Sequence, residues 1–250
     1  SADGWRVRLN GARFMRALPL ATTDITQALD TTGFASLWKL DQPSGAPDST
    51  AISDWRVVHP AIALDLGYAV NGLPLGLKQL RVESVDADGY SFLVANADGS
   101  GVQVFTIGKS QTHAFVYFSI ASGSEVEVAP PTGSYDLLFT QYTHRFTDPP
   151  MAYLVTGAVN GFSGARVAEL TADFATVTLA DTLAHPFSGS EDAVGYDWKE
   201  YDFDAGVYTV FPDHVFIVQD AQGWFYKLHF IDFYNDLGER GCPTFEVQAW

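Results

Sequence analysis

The sequence predicts an all-β chain: two related antiparallel β modules packed together, with pseudo-twofold internal duplication and little helix. Three observations predict it. Apolar and polar residues alternate with period two in many short runs, no segment keeps helical periodicity over three turns, and one strand–turn–strand pattern occurs twice. Aromatic residues make up 14% of the chain and charged residues 18%, a balance that suits a β-rich globular fold and excludes disorder. At 250 residues the chain is long enough to bury a core without disulfides or metals.

The first module is read over residues 1–111. Residues 5–9 alternate, with Trp5, Val7 and Leu9 opposite Arg6 and Arg8. Asn10-Gly11 is a turn pair, and residues 13–18 can return as a hairpin. Residues 22–32 are polar and have room for one short helical turn, opened by Asp24 with Gln27 three residues on. Residues 42–50 are a loop by composition. Strands follow over 61–66, 75–85, 90–95 and 102–107, with turns at Asp86-Ala87-Asp88-Gly89 and at 96–101. Residues 108–112 read as a linker.

The second module is read over residues 112–250. Residues 113–120 are a strand and 125–129 a short one, stopped by Pro130-Pro131. Residues 135–146 form a long strand, closed by a proline loop at 147–150. Residues 151–159, 165–170 and 174–179 continue the sheet, and 181–192 form a loop. The strongest signals lie in residues 196–250. There, 214–219 is an apolar strand, and Asp220-Ala221-Gln222-Gly223 is a turn in which Gly223 takes positive φ cheaply. Residues 224–233 alternate, and 245–248 close a three-stranded meander.

The duplication rests on paired segments. Ala51-Ile52-Ser53-Asp54-Trp55 resembles Val194-Gly195-Tyr196-Asp197-Trp198. The 80–95 hairpin, with its Asp-Ala-Asp-Gly turn, matches 215–229 with Asp-Ala-Gln-Gly. The repeat unit of roughly 100 to 130 residues is too long for a solenoid. The second copy opens with the hairpin 113–146, which has no counterpart before Ser1. The start at Ser1-Ala2-Asp3, without an initiator Met, is therefore expected to follow removal of such a hairpin or of a targeting segment.

Composition excludes several functions. Net charge is −16, and the only lysines are Lys39, Lys78, Lys109, Lys199 and Lys227, so no basic patch can neutralise nucleic-acid phosphates. Cys242 is the only cysteine, which rules out an internal disulfide and points to a small packed residue. No apolar run reaches the roughly 18 residues of a membrane-spanning helix. No G-x-S-x-G elbow occurs; Gly161-Phe162-Ser163-Gly164 reads as a turn.

Four segments occur in an order that resembles the HmuY-like family: YDLLFTQYTH (135–144), AYLVTGAVNG (152–161), GYDWKEYDF (195–203) and FYKLHFIDFYND…GERGCPTFE (225–246). The resemblance covers the later part of the chain well and the first 110 or so residues weakly. It implies an all-β, non-catalytic protein, secreted or anchored as an outer-membrane lipoprotein in Gram-negative bacteria. It further implies haem capture and delivery to a TonB-dependent outer-membrane receptor. The family's haemophore holds haem with two axial histidines. One is expected just past Trp198-Lys199-Glu200-Tyr201, where this chain has Asp202, Phe203 and Asp204. The other falls within 165–190, where His185 is the only histidine.

Candidate haem ligands are therefore His185, followed by Pro186, and His144 with Met151, which bracket a loop of two prolines. The bland alternatives are a surface histidine and a strand-end histidine. His229 reads as a satisfied, partly buried residue within a strand. Asp202, Asp204, Asp232, Asp236 and Glu239 read as turn chemistry rather than calcium ligands, because EF-hand spacing is missing. Three functions stay open: haem capture, a haem-free accessory subunit of an outer-membrane complex, and a carbohydrate-binding module built on exposed aromatics. The missing histidine at Phe203 favours the second over the first.

Overall fold

Period-two patterning becomes antiparallel strands, and among the described residues every helical piece is a short 3-10 turn. The computed structural model describes residues 4–250, so the Ser1-Ala2-Asp3 start lies outside the described residues. The chain forms two compact units. The first runs to Pro131 and includes Tyr142–Leu154; the second comprises Thr132–Gln141 and Val155–Trp250.

In the first unit, β1 (Arg16–Pro19), β2 (Ile62–Asp65), β3 (Leu77–Val85), β4 (Gly89–Asn96) and β5 (Gln103–Gly108) form one sheet in sequence order. Ile62 faces Leu80 across one ladder, and Leu80 faces Val94 across the next. These residues join Ile52, Trp55, Leu64, Val82 and Phe92 in the buried core. The β3–β4 turn closes as its sequence predicts, with the Asp86 carboxylate accepting the amides of Asp88 and Gly89 at 2.8 and 2.9 Å. The hairpin of β6 (Tyr117–Ser119) and β7 (Ser124–Val126) sets Phe118 4.9 Å from both Phe92 and Phe105.

Three expectations in this unit fail. Residues 5–9 are not a strand, and Asn10-Gly11 is not a hairpin turn. Side chains take the backbone groups a ladder would have used. Asp41 accepts the Leu9 amide at 2.7 Å, and the Trp55 indole donates to the Trp5 carbonyl at 3.1 Å. The Asn10 side chain caps the 3-10 turn Gly11–Arg13. Residues 22–32 form no helix. Asp24 accepts from the amide and hydroxyl of Thr26 and from Gln27, which closes a turn instead.

The long strands β8 (Leu137–Thr147) and β9 (Pro150–Asn160) pair with each other around a turn at Asp148-Pro149.

In the second unit, β10 (Arg166–Thr171) pairs with β13 (His214–Gln219), which pairs with β14 (Phe225–Tyr234), which pairs with β15 (Arg240–Ala249). The predicted meander is β13–β14–β15. A second hairpin, β11 (Lys199–Asp202) and β12 (Val207–Val210), lies beside β14, with the Tyr208 amide donating to the Tyr234 hydroxyl at 2.7 Å. Period two gives the sheet two faces. Val167, Phe216, Val218, Leu228 and Phe230 pack with Trp198, whereas Ala168, Leu170, Val215 and Ile217 pack with Phe174 and Val177.

Two more expectations need correction here. Residues 174–179 do not continue the sheet. Asp173 caps the 3-10 turn Phe174–Thr176, and a second such turn spans Leu179–Leu183. Cys242 is exposed rather than packed, because β15 has a ladder partner on one side only and turns most side chains outward. Trp224 is 63% exposed at the mouth of the β13–β14 turn, unlike the buried Trp55 and Trp198. Among the described residues, no helix is long and apolar enough to cross a membrane.

Candidate functional site

The segment 172–190 of the second unit is tied down at both ends and open in its middle. At its start, Phe174 is buried and stacks on His229 at 4.1 Å. The Lys227 ammonium, on β14, donates to the carbonyls of Phe174 (2.7 Å) and Val177 (3.0 Å). At its end, Ser188 exchanges two backbone bonds with Val167, and Arg166 donates to the Phe187 carbonyl at 2.7 Å.

Between these anchors, Thr178 and Asp181 form a capping box that starts the turn Leu179–Leu183. The amide and hydroxyl of Thr178 hold the Asp181 carboxyl below its ordinary range, and His185 adds a smaller attraction. The turn points Leu179 and Leu183 into solvent, Leu183 at 92% exposure. His185 follows, half-buried, with its amide on the Asp181 carbonyl at 3.2 Å. The result is a histidine two residues after one outward leucine and six after another. Histidine in a loop was legible in the sequence; the flanking leucines were not, because 179–183 falls where no clear period exists.

His144 and Met151 lie in the first unit, on the paired strands β8 and β9. His144 packs edge-on against Phe146 at 4.8 Å, and Met151 is exposed. Hydrogen-bonded strands sit about 4.8 Å apart. A porphyrin cannot pass between them, so a histidine and a methionine on this hairpin do not fit as ligands on its two opposite faces. Among the described residues no three His, Cys, Asp or Glu side chains gather as a metal site.

Phe203 stands at the tip of the β11–β12 hairpin, 89% exposed, with its edge against Tyr201 at 5.1 Å. Three further histidines hydrogen-bond within the fold. His229 bonds to the Pro212 carbonyl and Glu246, His214 to Glu169, and His59 to the Val82 carbonyl. The acidic turns are structural as well. Asp202 accepts the amides of Asp204 and Ala205, Asp232 those of Phe233 and Tyr234, and Glu239 accepts from Asn235.

Two buried lysines escaped the sequence reading, although each stands among apolar and aromatic residues. Lys199 lies 4.0 Å from the Trp198 ring and 4.8 Å from Phe233, and donates to the carbonyls of Thr156 (2.5 Å) and Tyr196 (3.2 Å). Burial lowers its pKa from 10.5 to about 8. Between those values the unfolded chain carries a proton that the folded protein lacks. The stability penalty is therefore full below about pH 8, and it lifts as pH rises towards 10.5. Stability measured by urea unfolding from pH 7.5 to 9.5 is expected to rise on the order of 2 kcal/mol through this group. Lys199→Met should flatten that rise, and an unchanged slope would refute the assignment. The upper limit stays below the range of Tyr90, Tyr135 and Tyr196, whose phenols burial pushes up from 10.0.

Comparison with known proteins agrees with this architecture. No curated protein matches the chain significantly. A family model described as HmuY protein matches residues 2–247, nearly the whole chain, including the first 110 residues where the segment resemblance was weak. The chain belongs to the HmuY family.

Proposed function

We propose that the protein captures haem at the cell surface or outside the cell and passes it to a TonB-dependent outer-membrane receptor. The observation that carries the reading is His185, which follows the outward leucines Leu179 and Leu183 on a loop anchored at both ends. Neutral imidazole is a good axial ligand for haem iron, and exposed leucines suit the apolar face of a porphyrin. Family membership supports the same ligand class. Titration with hemin is expected to give a Soret band that His185→Ala removes and that His144→Ala with Met151→Ala leaves in place. An unchanged band in His185→Ala would contradict the assignment.

A second reading is favoured by one observation, the exposed Phe203 where the family resemblance expects a histidine. In it the protein is a haem-free accessory subunit of an outer-membrane complex. It predicts no Soret band, and co-purification with membrane proteins. The duplication, with modules 1–111 and 112–250, belongs to the proposal too. Its support is the matched turns at Asp86 and Asp220, each of whose carboxylates accepts two backbone amides.

A further inference from the structure

A cavity of about 350 Å³ opens in the first unit between residues 20–34 and β3, at the small end of the range for ligand sites. Its wall is held in place by bonds to the rest of the unit. Leu20 donates to Ala61 and Ala61 to Thr22, both at 2.8 Å, and the Leu29 amide donates to the Ala97 carbonyl at 2.7 Å. Ile25 is 3% exposed and packs with Ala61 and Ala95. Gly99, at φ +81°, brings the 96–101 turn so near that a Cβ would lie 2.1 Å from the Thr26 carbonyl oxygen.

The buried polar group of this cavity is Gln79 on β3, 1% exposed. Its Nε2 donates to the Gln27 carbonyl at 2.7 Å and to the Asn96 carbonyl at 3.2 Å. Two carbonyls fix which end of the amide is nitrogen, so Oε1 turns away from them, and among the described residues no group donates to it. A buried acceptor left open at a cavity calls for a donor from outside the chain. Two carboxylates line the same cavity. The hydroxyl and amide of Thr26 hold the Asp24 carboxyl below its ordinary range, and those of Thr32 do the same for Asp30, so both are ionised at neutral pH. No lysine or arginine lines the cavity, which disfavours an anion. The rest of the wall is mainly apolar, with Leu20, Ala28, Leu29 and Phe34.

We propose that this cavity binds a primary ammonium group carried on a short apolar chain. The ammonium donates to Gln79 Oε1, Asp24 and Asp30 balance its charge, and the apolar chain lies along Leu20, Ala28, Leu29 and Phe34. A free amine and the lysine side chain of another protein present the same group. The site uses residues of the first unit alone and does not depend on haem or on His185.

Titration with n-butylammonium chloride, followed by ¹H–¹⁵N NMR of the full chain, tests it. The Gln79 side-chain amide and the backbone amides of 28–30 are expected to shift saturably, and n-butanol and butyrate to bind roughly tenfold more weakly or less. Gln79→Met should weaken butylammonium binding by about tenfold through loss of the acceptor. That variant also loses the bonds to Gln27 and Asn96, so Ala28→Trp provides a second reading: it fills the cavity from an exposed position and should abolish the shifts at an unchanged melting temperature. Asp30→Asn keeps the oxygen that accepts the Thr32 amide, removes the charge and should weaken binding. Nα-acetyl-lysine methylamide separates the two sources: binding as tight as butylammonium assigns the site to lysine side chains, and weaker binding to free amines. The proposal is overturned if butylammonium gives no saturable shift, if n-butanol binds as well, or if Ala28→Trp binds like the parent.

Discussion

Trp198→Ala is expected to destabilise the protein by about 4 kcal/mol, the range for deleting a large buried aromatic. Trp198 is 1% exposed and fills the centre of one face of the second unit's sheet. Its ring stacks on Phe230 at 3.7 Å and meets the Phe233 edge at 5.8 Å. Its indole N–H donates to the Gly195 carbonyl at 3.2 Å. The substitution leaves a cavity and Lys199 without the ring it lies against, while the Gly195 carbonyl keeps the Ala158 amide as its donor. Urea unfolding monitored by circular dichroism reads the loss directly. Trp224→Ala is the control: that ring is exposed, and its removal should cost less than about 0.5 kcal/mol. Equal effects at the two positions would show that burial is not what makes Trp198 matter.

Lys227→Met is expected to cost about 2 to 3 kcal/mol, for a different reason. The side chain is 3% exposed, and its ammonium ties the carbonyls of Phe174 and Val177 to β14. Methionine keeps most of the volume and removes the donor, which leaves two carbonyls unsatisfied under the loop. The relief from no longer burying a charge offsets part of that cost. Amide exchange should distinguish this from a general loss of stability. Protection is expected to fall most in 174–185, the segment leading to His185, and least in β13. A uniform loss across the unit would contradict the clamp.

The strands were legible because each buries residues at period two. In 214–219 and 225–234, alternate side chains divide between Trp198 on one face and Phe174 on the other. The Asp86 and Asp220 turns were legible because their chemistry is local. Residues 5–9 alternate just as cleanly, yet they have no ladder. Whether a neighbouring strand or the side chain of Asp41 meets an amide is a tertiary fact, and alternation carries no information about it. The 174–179 segment misled for a related reason: Phe174 and Val177 are apolar because they pack against β13, not because they continue the sheet. At the candidate site, histidine identity pointed to His185. Its outward leucines lie in a neighbouring stretch without a clear period, and the Lys227 clamp comes from about 40 positions away in sequence.

The central claim is that His185 provides the axial ligand for haem, and chemical rescue tests it most directly. His185→Gly is expected to lose the Soret band of the hemin complex and to regain it when free imidazole is added, because the small ligand replaces the missing side chain. A hemin complex of His185→Gly with the parent spectrum before imidazole is added would contradict the claim.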